Sequence, residues 1–182
     1  VSAYLGIDPG TTGAMALLRD PCGPHQLRIE PTPVLWQPKG TGKVRRYNLP
    51  ALWALIEALP TITLAYVEHQ GARPGQGLSS TFQTGFGAGI WQALLTAAGI
   101  PFVVITPQRW RRLVGLPVGP AAKSALKQAV RLAAVRRFPG QPIRLEHADA
   151  VMLAVAAMRD RGPASLVLPD VPPPAALGPR AS

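Results

Sequence analysis

"YLGIDPGTTGAMALL", residues 4–18, sets a single carboxylate, Asp8, between two apolar runs. Ala3–Asp8 reads as a buried strand, Pro9-Gly10 as the turn that stops it, and Thr12–Leu18 as a second strand. The chain therefore opens as a β-hairpin with an acid at a strand tip. Two explanations for Asp8 stand side by side: it satisfies the amides of the turn, as Asp often does before Pro-Gly, or it points out of the sheet to do chemistry.

Working outward, Gln26–Ile29 and Val34–Gln37 read as further strand pieces, broken by Pro31 and Pro33. "PKGTGKVRRY" (38–47) reads as a basic loop. Its Gly-Thr-Gly-Lys is not a phosphate-binding P-loop, because no Gly stands five residues before Gly42 and Val44 replaces the magnesium-holding Ser or Thr. Pro50–Leu59 has helical apolar spacing with Pro in the first turn. Ile62–Glu68 is a strand that again ends in a carboxylate, followed by the Gly-rich "HQGARPGQG". Ser79 or Ser80 is expected to cap a helix running to about Ala98, with Phe82, Phe86, Ile90 and Leu94 on one face. Gly85 and Gly89 inside it imply a close backbone approach, either to the chain's own sheet or to a second subunit.

Phe102–Ile105 is a short strand, Pro107–Val114 an Arg-rich helix start, Ala121–Phe138 an amphipathic helix and Leu145–Arg159 a buried one. From Gly162 onward six of 21 residues are Pro, so residues 162–182 are expected to be a disordered tail behind one domain of residues 1–161. Hairpins first and helical crossovers later make this an α/β fold with a mixed sheet of about five strands flanked by helices.

The charge narrows the function. Lys and Arg number 19 against 9 acids in 182 residues, a net +10. From His69 to Leu145 there is no Asp or Glu, while Arg73, Arg109, Arg111, Arg112, Lys123, Lys127 and Arg131 all fall there. A compositional bias toward Arg and Ala supplies part of the excess but does not empty such a stretch of acids. A polyanionic partner, nucleic acid ahead of an acidic membrane surface, is the expectation. The lone Cys22 excludes an internal disulfide, and no apolar run reaches spanning length, which together predict a cytoplasmic protein without a membrane partner.

Four of the nine acids sit where a carboxylate is expensive: Asp8, Glu68, Glu146 and Asp149. Buried carboxylates need hydrogen bonds, a cationic partner or a metal. Oxygen-only ligands suit magnesium or manganese, hard ions that retain water and accept phosphate oxygens. On that reading Gly10 and Gly13 leave room for a phosphate backbone beside Asp8. Each acid also has a plainer role: turn partner for Asp8, ion-pair partner for Glu68, helix-dipole complement for Glu146. His147 is an alternative ligand to Glu146 or a structural histidine.

Read in order, "GIDPGTTGA", "AYVEHQ", "FQTGFGAGIWQALLTAAGIP", "ITPQRWRRLVG", "AAKSALKQAV" and "HADAVMLAVAA" resemble the RuvC family of Holliday-junction resolvases, within the ribonuclease H-like nucleases, in a phage- or plasmid-like variant. The resemblance spans roughly residues 3–158. It implies a ribonuclease H-like sheet, a homodimer, and a crossover junction endodeoxyribonuclease of DNA recombination and repair that makes 5′-phosphate and 3′-hydroxyl ends. It also implies two Mg2+ per subunit, replaceable by Mn2+, held by Asp8, Glu68, Glu146 and Asp149. One ion would activate water and the other would stabilise the leaving 3′-oxygen. Arg111 and Lys123 fall where the family places basic contacts to a four-way junction, and Lys127 and Arg131 extend that face.

Two departures stand out. The family usually has Asp at the position of Glu146, and it often has an aromatic after Glu68 where "HQGARPGQG" has none. "GIDPGTTG" is also similar to the first phosphate loop of actin-like ATPases and sugar kinases, but their second loop, Asp-Gly-Gly, is missing here. A non-catalytic branched-DNA-binding protein, and a nuclease of broader branched-DNA specificity, are the remaining alternatives. The sequence does not say whether a branch-migration partner assists.

Overall fold

In a computed structural model, which describes residues 2–21, 23–72, 75–119 and 122–160, the first strand β1 (Ala3–Ile7) is buried along its whole length. Burial on both faces is what a central strand requires, and β1 is the middle of five. β2 (Ala14–Arg19) returns antiparallel, pairing Ile7 with Met15 and Ala3 with Arg19, and β3 (Leu27–Pro31) continues antiparallel on its far side. Next, β4 (Val34–Lys39) and β5 (Gly42–Tyr47) pair only with each other, and α1 (Leu49–Glu57) follows, capped by the Asn48 side chain. β6 (Leu64–Glu68) runs parallel to β1; α2 (Leu78–Ala97) crosses over to β7 (Phe102–Ile105), parallel to β6. The sheet order is β3-β2-β1-β6-β7. Three helices complete the fold: α3 (Pro107–Leu113), α4 (Lys123–Arg137) and α5 (Ala148–Asp160).

Strand alternation divides the core. Leu5, Ile7, Met15, Leu17, Ala65 and Val67 face α1 and α2, meeting Leu52, Ile56, Trp91 and Leu95. Tyr4, Ala16, Leu18 and Tyr66 face the other way, onto α5 and, beyond it, Val130 and Ala134 of α4 and Phe138 just after it. The result is a helix–sheet–helix sandwich. Its tightest seam is at Gly6, where a Cβ would lie 2.0 Å from the Ala150 carbonyl oxygen and 2.3 Å from the Ala154 nitrogen. Only glycine lets α5 lie directly on β1, and that contact brings the start of α5 to the strand's carboxyl end.

Several local expectations are corrected. Residues 42–47, read as loop, are a strand: Gly40, at φ +58°, closes a two-residue turn that pairs Lys39 with Gly42. α2 starts with Gly77 at its cap rather than Ser79 or Ser80. Its buried stripe is Gly87, Trp91 and Leu95, whereas Phe82 and Phe86 are exposed. The close approach belongs to Gly87, whose Cβ would meet the Tyr47 hydroxyl at 2.0 Å; Cβ atoms at Gly85 and Gly89 would enter open space. α5 begins at Ala148, so Glu146 stands in the preceding turn, where the His147 amide donates to the Arg144 carbonyl. The boundary at residue 161 and the Pro-rich tail lie outside the described residues, as does Cys22.

Candidate active site

The turn after β1 is built around Asp8. Its amide donates to the Ala14 carbonyl (3.0 Å), the Gly13 amide to the Gly10 carbonyl (2.9 Å), and the Gly10 amide lies 3.4 Å from Asp8 Oδ1. A Cβ on Gly13 would sit 2.2 Å from the Asp8 carbonyl oxygen. Gly13 thus makes room for Asp8 itself, not for an incoming phosphate. Asp8 does serve the turn through one oxygen, and its side chain also lines a cavity.

That cavity, of about 570 Å³, is lined by Asp8, Glu68 and Asp149 on its acidic side and by Arg111, Lys123 and Lys127 on its basic side. β1 and β6 deliver the first two carboxylates because they are adjacent and parallel, so both C-terminal tips open on one edge, the usual place for ligands of α/β sheets. α5 delivers Asp149 from its first turn. Thr12, Gln70, Thr106 and Gln108 add neutral polar groups.

Glu68 is buried, 8% exposed, and both its oxygens are engaged. Trp110 Nε1 donates to Oε1 (3.1 Å) and Gln70 Nε2 to Oε2 (3.2 Å). Gln70 Nε2 also lies 3.4 Å from Asp8 Oδ1, so one amide group bridges the two carboxylates. Burial, reinforced by the charges of Asp8 and Asp149, pushes the Glu68 carboxyl up to about 7; the Trp110 bond and Arg111 pull the other way. Asp149 is also raised, by burial, against the pull of Arg111, Lys127 and Lys123. Asp149 Oδ1 and Arg111 Nε are both buried without a hydrogen-bond partner. Such atoms are costly, and at a site of this kind they point to a missing ligand.

The donor set fits a hard divalent cation. Three carboxylates repel one another around the cavity, one oxygen is orphaned, and an N–H donor sits between two of them where positive charge is wanted. Among the described residues no three acidic, His or Cys side chains are gathered tightly enough to form a ready-built metal site. A cation held by Asp8 and Glu68 would compete with the Gln70 amide for the same oxygens.

The other expected site residues divide. Glu146 is exposed and does not line the cavity; His147 is buried, its pKa lowered by that burial, and does not line it either. Arg109 and Arg112 are exposed on α3, away from the lining. Arg131 donates from Nε to the Ile143 carbonyl (3.3 Å), tying α4 to the segment before α5. Arg73 lies outside the described residues. Sequence reasoning missed Gln70 and the bond from Trp110. Gln70 carried one usable signal, standing two residues after Glu68; Trp110 carried none beyond its place in "ITPQRW".

A mixed five-stranded sheet with helices on both faces and acids at neighbouring strand tips is the ribonuclease H-like architecture. Within that class the fold is similar to that of RuvC. T. thermophilus RuvC in complex with Holliday junction substrate is similar at a TM-score of 0.58 and 16% identity, over 88% of this chain and 94% of that one. A second Thermus thermophilus RuvC structure gives 0.52 and 19%, over 87% and 94%. No family model and no curated protein matches the sequence.

Proposed function

We propose that the chain is a metal-dependent endonuclease that resolves Holliday junctions by paired phosphodiester hydrolysis. The observation that carries this reading is the single cavity in which Asp8, Glu68 and Asp149 face Arg111, Lys123 and Lys127, on a fold shared with a protein solved on Holliday junction substrate. Asp8, Glu68 and Asp149 would hold the cations, Mg2+ or Mn2+, with Glu146 or His147 as a further ligand only if the turn before α5 shifts. When bound, the cations supply Lewis-acid activation of water and offset charge on the leaving 3′-oxygen.

The chain's own residues do the rest. Arg111, Lys123 and Lys127 bind and orient the phosphates, which position the substrate without reading its bases. Trp110 Nε1 holds Glu68 Oε1 and so fixes the orientation of the carboxylate, with Oε2 turned toward Gln70. A two-fold homodimer would present two such cavities to opposed strands. The exposed stripe of α2, with Phe82 and Phe86 stacked at 6.0 Å beside Gly85 and Gly89, is the face we assign to the second copy.

Because the Gln70 amide already holds oxygens of Asp8 and Glu68, a second reading, a branched-DNA-binding protein without chemistry, stands beside the first. Cleavage assays on four-way, three-way, flap and linear DNA, with and without Mg2+, separate the two. Asp8→Asn should abolish cutting and leave junction binding in place. Near wild-type cutting by that variant would sink the metal assignment, and binding without cutting by the wild type would favour the second reading.

A further inference from the structure

The β4–β5 hairpin is a part of the fold that the cavity does not use. It pairs with no strand of the main sheet and, at six residues a strand, reaches about 20 Å. Between Pro31 and Leu49 it carries Lys39, Lys43, Arg45 and Arg46 and no acid. None of these four makes an ion pair among the described residues. Their charge is therefore unspent within the fold.

The hairpin is rooted at the candidate active site. The Tyr47 hydroxyl donates to the Pro9 carbonyl (2.7 Å), in the turn that presents Asp8, and Gly87 makes room for that hydroxyl. Burial, and secondly the nearby Asp8, push the Tyr47 phenol up to about 12, so it stays a neutral donor. Cross-strand register then defines the face. Val34–Tyr47, Trp36–Arg45 and Pro38–Lys43 are successive alternate pairs, so Trp36, Arg45 and Lys43 continue the face that Tyr47 begins. Trp36 is 57% exposed, with the Arg45 guanidinium 4.9 Å from its ring centroid. An exposed indole beside unpaired cations is the chemistry that stacks a base and holds its phosphates.

We propose that this hairpin is a nucleic-acid arm: Trp36 stacks on an unpaired base while Lys43 and Arg45, on the same face, bind the flanking phosphates, holding an opened strand beside the Asp8 cavity. The proposal rests on the nuclease reading above, and the test keeps the two apart. Titrate fluorescein-labelled single-stranded DNA and a four-way junction without metal, at several salt concentrations, with wild type, Trp36→Ala, Trp36→Phe and Lys43→Ala/Arg45→Ala. Follow junction cleavage with Mg2+, and thermal unfolding of each variant.

Trp36→Ala should weaken single-strand binding about tenfold, Trp36→Phe should restore most of it, and the double variant should flatten the salt slope by roughly one to two. Unfolding temperatures should stay close to wild type, because Trp36, Lys43 and Arg45 are outside the buried core. If the wild type binds and cuts the junction while Trp36→Ala binds within twofold of it, the arm is refuted and the nuclease stands. If the wild type binds no DNA at all, both readings fall. Loss of co-sedimentation with phosphatidylserine vesicles in the variants, at unchanged DNA affinity, would also overturn the arm by making it a membrane contact.

Discussion

Glu68 is the residue most sensitive to its surroundings. In the metal-free chain its carboxyl titrates near 7 rather than at the ordinary 4.5, because burial and two like charges oppose ionisation. The folded state thus holds this proton more tightly than the unfolded state. Its contribution to stability is complete below about pH 4.5 and is lost as pH rises through 7. Urea unfolding without metal should show stability falling across that window, by on the order of 3 kcal/mol at most. Glu68→Gln should flatten the slope, and added Mg2+ should restore stability above pH 7. Asp8 and Glu68 were legible in the sequence because a carboxylate ending an apolar strand is conspicuous. Gln70 and Trp110 were not, since an amide and an indole are unremarkable until folding sets both against the same carboxylate. Glu146 looked like Asp149's neighbour at helical spacing, but the helix starts two residues later and leaves it in solvent.

At the level of elements, glycines decide which surfaces meet. Gly6→Ala should destabilise the chain by about 3 kcal/mol or more, because the new methyl meets helix backbone that no rotamer change can move. Cleavage should fall with it, as α5 carries Asp149. Gly85→Ala and Gly89→Ala, in open space within α2, should instead stabilise each protomer by about 0.5–1 kcal/mol. Urea unfolding of the three variants, at protein concentrations low enough to keep the chain monomeric, checks both signs. Strand and helix order was readable because each apolar run has a clear period. The face of α2 was not, because its Phe residues share a stripe that competes with the one containing Trp91, and only packing against β1 and β6 chooses between them. The β4–β5 pairing was hidden by Pro38 and by charges that resemble a loop; its turn geometry became evident only with Gly40.

Across the whole molecule the acids and the bases have separate origins. Carboxylates come from the two central strands and α5, cations from α3 and α4, and the cavity is the space between. Lys123→Ala, at the exposed N-terminal end of α4, should weaken junction binding irrespective of sequence and lower the salt slope by about one. An unchanged slope in a binding titration would remove it from the DNA surface. Among the described residues no helix is long and apolar enough to cross a membrane. The seating of α5 on β1 has a consequence for biosynthesis. A ribosome that has released the chain only as far as α4 exposes a sheet whose middle strand is bare on one side and whose acidic trio lacks its third member. The settled tertiary structure and the complete cavity therefore both wait for residues 148–160 to emerge and dock.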